Sequence, residues 1–142
     1  MKNKFLYNLL SFTWGIIMTL IGGIAALVAL CCGLRPHKFG GMIYFTFGEG
    51  WGGVSLGRVF FCSKDCENDP SITNHEFGHS FQNCWWGPLF PFVIAIPSVI
   101  RYWYRELKYY RKDKYPPTEY DDIWFEGQAT KLGNKYIEYY KK

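Results

Sequence analysis

Two of the chain's three histidines stand four residues apart with a glutamate beside the first, in the run His75-Glu76-Phe77-Gly78-His79. On a helix, positions i and i+4 lie one above the other, so both imidazoles can grip one metal ion. Glu76 then sits next to the remaining coordination position, where it can take a proton from water held there. With three His and seven Glu among 142 residues, a random ordering produces this pattern in on the order of a few chains per thousand. The bland alternative is a surface helix with two incidental histidines and a solvated glutamate.

A catalytic zinc site has three protein ligands and one open position, so a third ligand must be found. His37 is the remaining histidine, and Glu106, Asp113, Glu119, Asp121, Asp122, Glu126 and Glu138 are the later acids. Glu126 ranks first for a geometric reason. On a helix its face continues through Ala129, Thr130 and Gly133, small residues that let this helix approach the His-bearing one closely enough to share a Zn2+ ion. Thr130, one turn on, is placed to hydrogen-bond the outer nitrogen of a ligating histidine and fix its orientation. His37 ranks second.

The elements that must position these residues are legible in part. Asp69-Pro70 offers an N-cap followed by proline at the first helical position, and Thr73 to Glu76 repeats the Ser/Thr-x-x-Glu cap spacing. The helix that follows turns Phe77 and Phe81 to one face and His75, His79 and Gln82 to another, and ends near Trp86-Gly87-Pro88. Met42 to Phe47 and Val54 to Phe61 read as two short strands separated by a glycine-rich loop. Tyr115-Pro116-Pro117 is a breaker, after which Thr118, with Asp121 at the reciprocal position, caps a final helix through Glu126 toward Tyr140. The fold class expected is α+β and mostly helical.

Upstream, Phe5 to Leu34 runs thirty residues without a charge, long enough to span a bilayer as one tilted helix. The division expected is a membrane anchor over residues 1–35 and a small domain over 36–142. Ser11, Gly15, Thr19 and Gly23 fall at four-residue steps, with Gly22 and Ala26 alongside. Small residues so spaced let another helix come close. That helix is a later segment of this chain or a second copy, the latter giving a helix-mediated homo-oligomer. Residues 88–100 are intensely apolar and hold Pro88, Pro91 and Pro97. They are short for a span and suit a shallow or re-entrant helix.

The run Arg101 to Lys114 interleaves cations with aromatics, as at an anionic membrane surface, and tips the expectation toward a cytoplasmic globular part. With an anchor beside it, the same run argues against a nucleic-acid partner. Reduced cysteines are expected in that compartment, and a Cys62–Cys66 or Cys66–Cys84 bridge if the domain lies outside the cytoplasm.

A helix with HExxH followed by a later helix with Glu126-Gly127-Gln128-Ala129 resembles the gluzincin group of zinc metallopeptidases. That resemblance implies a zincin-like domain in which His75, His79 and Glu126 hold zinc and Glu76 is the general base. It also implies that the strand Val54-Ser55-Leu56-Gly57 holds an extended peptide or protein substrate, here at the bilayer surface. One departure is Thr130, which stands where these enzymes often carry Asp. The competing expectation is a non-catalytic membrane protein with a structural metal, its fourth position closed by a side chain such as Cys66 or Cys84.

Overall fold

The computed structural model describes residues 2–67 and 69–140; Met1, Asn68, Lys141 and Lys142 lie outside the described residues. Over the described residues the chain is α+β, 66% helical, with five α-helices and a small four-stranded mixed sheet.

The uncharged N-terminal stretch is two helices, α1 (Lys4–Phe12) and α2 (Ile16–Cys31), bent by 83°. The single helix expected over Phe5–Leu34 is therefore corrected. The bend is held from a distance: the Asn83 amide donates to the Gly15 carbonyl at 3.1 Å, and a Cβ on Gly15 would stand 2.5 Å from that amide nitrogen. Helix α1, assigned by sequence to the anchor, packs into the core instead. Its Tyr7 is buried among Phe77, Phe81 and Tyr140 and donates its hydroxyl to Ser80 at 2.7 Å.

The strands are β1 (His37–Phe39), β2 (Met42–Thr46), β3 (Gly53–Leu56) and β4 (Val59–Cys62), in the order β1-β2-β4-β3. Strand β2 runs parallel to β4, while β1–β2 and β3–β4 are antiparallel. The one strand expected over Val54–Phe61 is thus a hairpin. It reverses at Gly57, whose φ of +68° lies in the region that glycine alone adopts freely. Alternation along β4 divides two cores: Phe60 faces Tyr7, Phe77 and Phe81, while Val59 and Phe61 face the alanines of α2.

Helix α2 meets the sheet through its small residues. A Cβ on Gly22 would lie 2.1 Å from the Leu56 carbonyl oxygen, and Ala25, Ala26 and Ala29 pack on Phe45, Val59 and Phe61. Gly23, on the expected stripe, touches nothing within 4 Å. The close partner of this face is the chain's own β3.

Helix α3 (Pro70–Trp86) begins as expected, Asp69 accepting from the Ser71 amide at 2.9 Å. Thr73 takes no part in the cap; its hydroxyl donates to the Pro70 carbonyl. After α3 the chain bends by 117°. A 3-10 turn at Gly87–Leu89 and a π-helical turn at Pro91–Ala95 lead into α4 (Ile96–Lys108). Prolines 88, 91 and 97 lack the N–H that an α-ladder needs, which accounts for the irregular winding. Helix α5 (Trp124–Tyr140) follows a 3-10 turn, Tyr120–Asp122, boxed by Glu119 and Asp122 rather than by Thr118 and Asp121.

Among the described residues, no single helix is long and apolar enough to cross a membrane; the pairs α1–α2 and α3–α4 meet that requirement only together, each across its bend.

Candidate metal centre

Helices α3 and α5 touch backbone to backbone. A Cβ on Gly78 would lie 1.8 Å from the Ala129 carbonyl oxygen, and one on Gly133 would lie 1.8 Å from that of Asn74. Small residues on both helices remove the usual side-chain spacer. The close approach expected from Ala129 and Gly133 is present, with Gly78, inside the HExxH run, as its unforeseen counterpart. This contact carries Glu126, 0% exposed, onto the two histidines.

Three donor atoms converge there. Glu126 Oε2 is 3.1 Å from His75 Nε2 and 3.3 Å from His79 Nε2, and the two ring nitrogens are 3.1 Å apart. Donors at about 2.0–2.1 Å from a tetrahedral centre stand about 3.3 Å from one another, so the spacing matches three corners of a zinc-sized site. The outer ring nitrogens have partners of their own. Gln82 Nε2 donates to the Phe125 carbonyl at 2.7 Å, so its Oε1, 2.7 Å from His79 Nδ1, is placed to accept the imidazole proton. His75 Nδ1 lies 2.8 Å from the Thr130 hydroxyl. A ring that carries its proton on Nδ1 has its Nε2 lone pair free for a metal ion, and two imidazoles with one carboxylate suit a transition-metal ion rather than the all-oxygen cages of calcium or magnesium. His75, His79 and Glu126 could thus hold a metal ion.

Glu76 stands beside this cluster, 4% exposed, with its Oε2 unpartnered. Burial holds its carboxyl above the usual carboxylate range, against the pull of His79 and His75. Glu126 goes the other way: burial would raise its carboxyl, but the hydrogen bonds from His75 and His79 outweigh this and keep it well below that range. Two carboxyl groups in one pocket therefore hold protons very differently. The room for Glu76 comes from Gly53 of β3, where a Cβ would lie 2.6 Å from Glu76 Oε1.

A cavity of about 410 Å³ opens over the cluster. His75, Glu76 and His79 lie at its floor, β3 forms one wall, and residues from Phe90 to Trp103 form the other. Val54, Ser55 and Leu56 line it. Gly57 does not, since it turns against the α2 backbone at Thr19. Tyr102 and Tyr120 also line the cavity, Tyr120 with its hydroxyl 3.4 Å from Glu126 Oε1, whereas Tyr115 is 92% exposed and Tyr136 packs on Phe81. His37 stacks on Tyr44 in β1, at the opposite edge of the sheet, and Glu106 faces Arg111.

Sequence reasoning passed over Gln82 as the partner of His79, although its i+3 spacing was the available signal. Ser98, which hydrogen-bonds Glu126 and Tyr120 from α4, carried no signal at all. The cysteine expectation is corrected: Cys62 and Cys66 form a disulfide, while Cys84 is a buried free thiol bonded to Ser11, so neither Cys66 nor Cys84 closes the metal cluster.

No model of a known protein family, no curated protein and no solved structure matches this chain.

Proposed function

We propose that the chain is a membrane-associated zinc metallopeptidase of zincin type. The observation that carries this reading is the convergence of His75, His79 and Glu126 at zinc-ligand spacing with a buried, unpartnered Glu76 carboxylate beside them. A zinc ion at the cluster would polarise a carbonyl oxygen and lower the pKa of water on its open side. Glu76 accepts a proton from the attacking water as the water's oxygen bonds to the peptide carbon. It returns that proton to the amine nitrogen as the C–N bond breaks, so one water is consumed and one acid and one amine are released. Tyr120, which lines the cavity with its hydroxyl 3.4 Å from Glu126, offers a hydroxyl to the oxyanion. Strand β3 is terminal in the sheet and lines the cavity, so an extended peptide can add to its edge.

Membrane association rests on two helices that are inside-out relative to a soluble protein. Helix α2 turns its glycine and alanines inward and exposes Leu20, Ile21, Ile24, Leu27 and Val28. Lipid rather than water tolerates that pattern. The Cys62–Cys66 disulfide favours an oxidising compartment. We therefore assign the catalytic face to the extracytoplasmic side, against the cytoplasmic placement that the basic-aromatic run favours. The competing reading, a structural metal in a non-catalytic protein, is disfavoured by a cluster whose remaining side faces the cavity.

The test is zinc content together with peptide cleavage. Glu76→Gln is expected to keep the metal and lose turnover, and Glu126→Ala to lose most of the metal. Normal zinc binding by Glu126→Ala would remove the third ligand, and full activity in Glu76→Gln would remove the mechanism.

A further inference from the structure

On a surface helix in water the apolar stripe turns to the core and the charges turn out. Helix α4 does the reverse. Its Arg105, 5% exposed, donates to the carbonyls of Thr118 and Glu119, and Arg101 donates to those of Glu119 and Tyr120. Ile96, Val99, Ile100, Trp103 and Leu107, which recur at helical spacing, are all exposed. The first four of these also line the cavity over the His-His-Glu cluster. Wall and outer surface are thus the same side chains, and the mouth of the cavity is cut into the apolar stripe.

The stripe runs on into other apolar surface. Phe90 and Ile94 are buried against Met18 of α2, and Leu89 and Phe92 of the one segment and Ile17, Leu20 and Ile21 of the other are exposed. At its far end α4 gives way to Lys108, Arg111, Lys112 and Lys114, interleaved with Tyr109 and Tyr110, the composition suited to an anionic headgroup layer. Apolar surface with a basic-aromatic rim matches the depth profile of one bilayer leaflet.

From this we infer that the cavity opens into lipid rather than into water. The substrate is an apolar peptide segment lodged in the bilayer, which passes sideways over Ile96, Val99, Ile100 and Trp103 and becomes extended at the edge of β3. The inference rests on the peptidase reading above and adds to it the route and the apolar character of the substrate. Most of the lining is aliphatic or aromatic, with polar groups confined to the floor and to Ser55, Ser98, Tyr102 and Tyr120. A segment in lipid keeps its backbone paired within a helix, so it must unwind to be cut, and the edge of β3 then pairs the groups that unwinding frees while the apolar walls replace the lipid around its side chains.

The test uses the full zinc-loaded chain in vesicles of phosphatidylcholine and phosphatidylglycerol. The substrates are a randomised library of short peptides in two tethered forms. One carries a palmitoyl chain directly on its N-terminus. The other carries the same chain through a twelve-residue Gly/Ser spacer, which lifts the peptide by about 20 Å. Both are equally concentrated at the membrane, so they differ only in depth. Cleavage of the direct form about tenfold faster or more is expected, on the scale that effective concentration gives. Leu107→Glu, on the stripe but outside the cavity, is expected to abolish that preference with zinc content unchanged. Equal cleavage of the two forms, or faster cleavage of the spaced form, overturns the lipid route and leaves the peptidase reading standing. No cleavage of either form by zinc-loaded chain overturns both.

Discussion

Helices α4 and α5 both flank the HExxH helix, and they meet it in opposite ways. Helix α5 comes so close that Gly78 and Ala129 share a contact no Cβ would fit, and the carboxylate it delivers is completely buried. Helix α4 stands off, leaves a cavity of about 410 Å³ and lines it with bulky apolar residues that are also exposed. Under the proposed function, the difference follows from what each side must do. A metal ligand displaced by even a fraction of an ångström no longer completes its polyhedron, so the α3–α5 contact leaves no slack. A wall that admits a peptide has to keep space open, and it does so with side chains whose removal costs the fold little.

Substitutions can break that contrast, beginning at the tight side. Gly78→Ala sets a methyl group against the Ala129 carbonyl. It is expected to cost about 3 kcal/mol, lowering Tm by roughly 6–12 °C for a chain of this size in the detergent-solubilised protein, and to remove zinc binding with it. An unchanged Tm would show that the two helices are not held as described. Thr130→Val keeps the shape but takes the hydroxyl from His75 Nδ1. Competition against a chelator should show zinc affinity lower by about tenfold, with the melting curve little moved.

Glu76→Gln removes a buried, unpartnered carboxylate oxygen. Since an unpaired buried charge is unfavourable, the metal-free variant should melt higher, by about 2–4 °C, while turnover is lost; a lower melting point would mean that Glu76 contributes to the fold. The smallest effect is expected on the open side, where Val99→Ala should change stability within about 0.5 kcal/mol yet alter which library peptides are cut. A large loss of stability there would mean that α4 is core rather than cavity wall.

The candidate site was legible where its geometry is local or where composition reports contact. His75 and His79 are neighbours on any helix, Asp69-Pro70 starts one, and the small face of Ala129, Thr130 and Gly133 marked α5 as a helix that comes close. The hairpin in Val54–Phe61 was missed because Val54-Ser55-Leu56 and Val59-Phe60-Phe61 read as one run of strand-forming residues, with Gly57 marking the reversal. The bend in the uncharged N-terminal stretch was missed for a different reason. Apolar composition measures what a segment avoids and says nothing about where it bends.

The i, i+4 periodicity of the helix thus determined, from sequence alone, the pairing of the two histidines and the place of Glu76 beside them. The tertiary structure decided the rest, because those choices depend on groups far away along the chain. Asn83, 68 residues beyond Gly15, holds the bend between α1 and α2. Phe125, 43 residues beyond Gln82, orients the amide that orients His79. Tyr120 lines the cavity from the turn before α5, while Tyr136, on α5 itself, packs on Phe81. Spacing fixes neighbours within one turn of helix, whereas contacts between elements follow from how every surface packs at once.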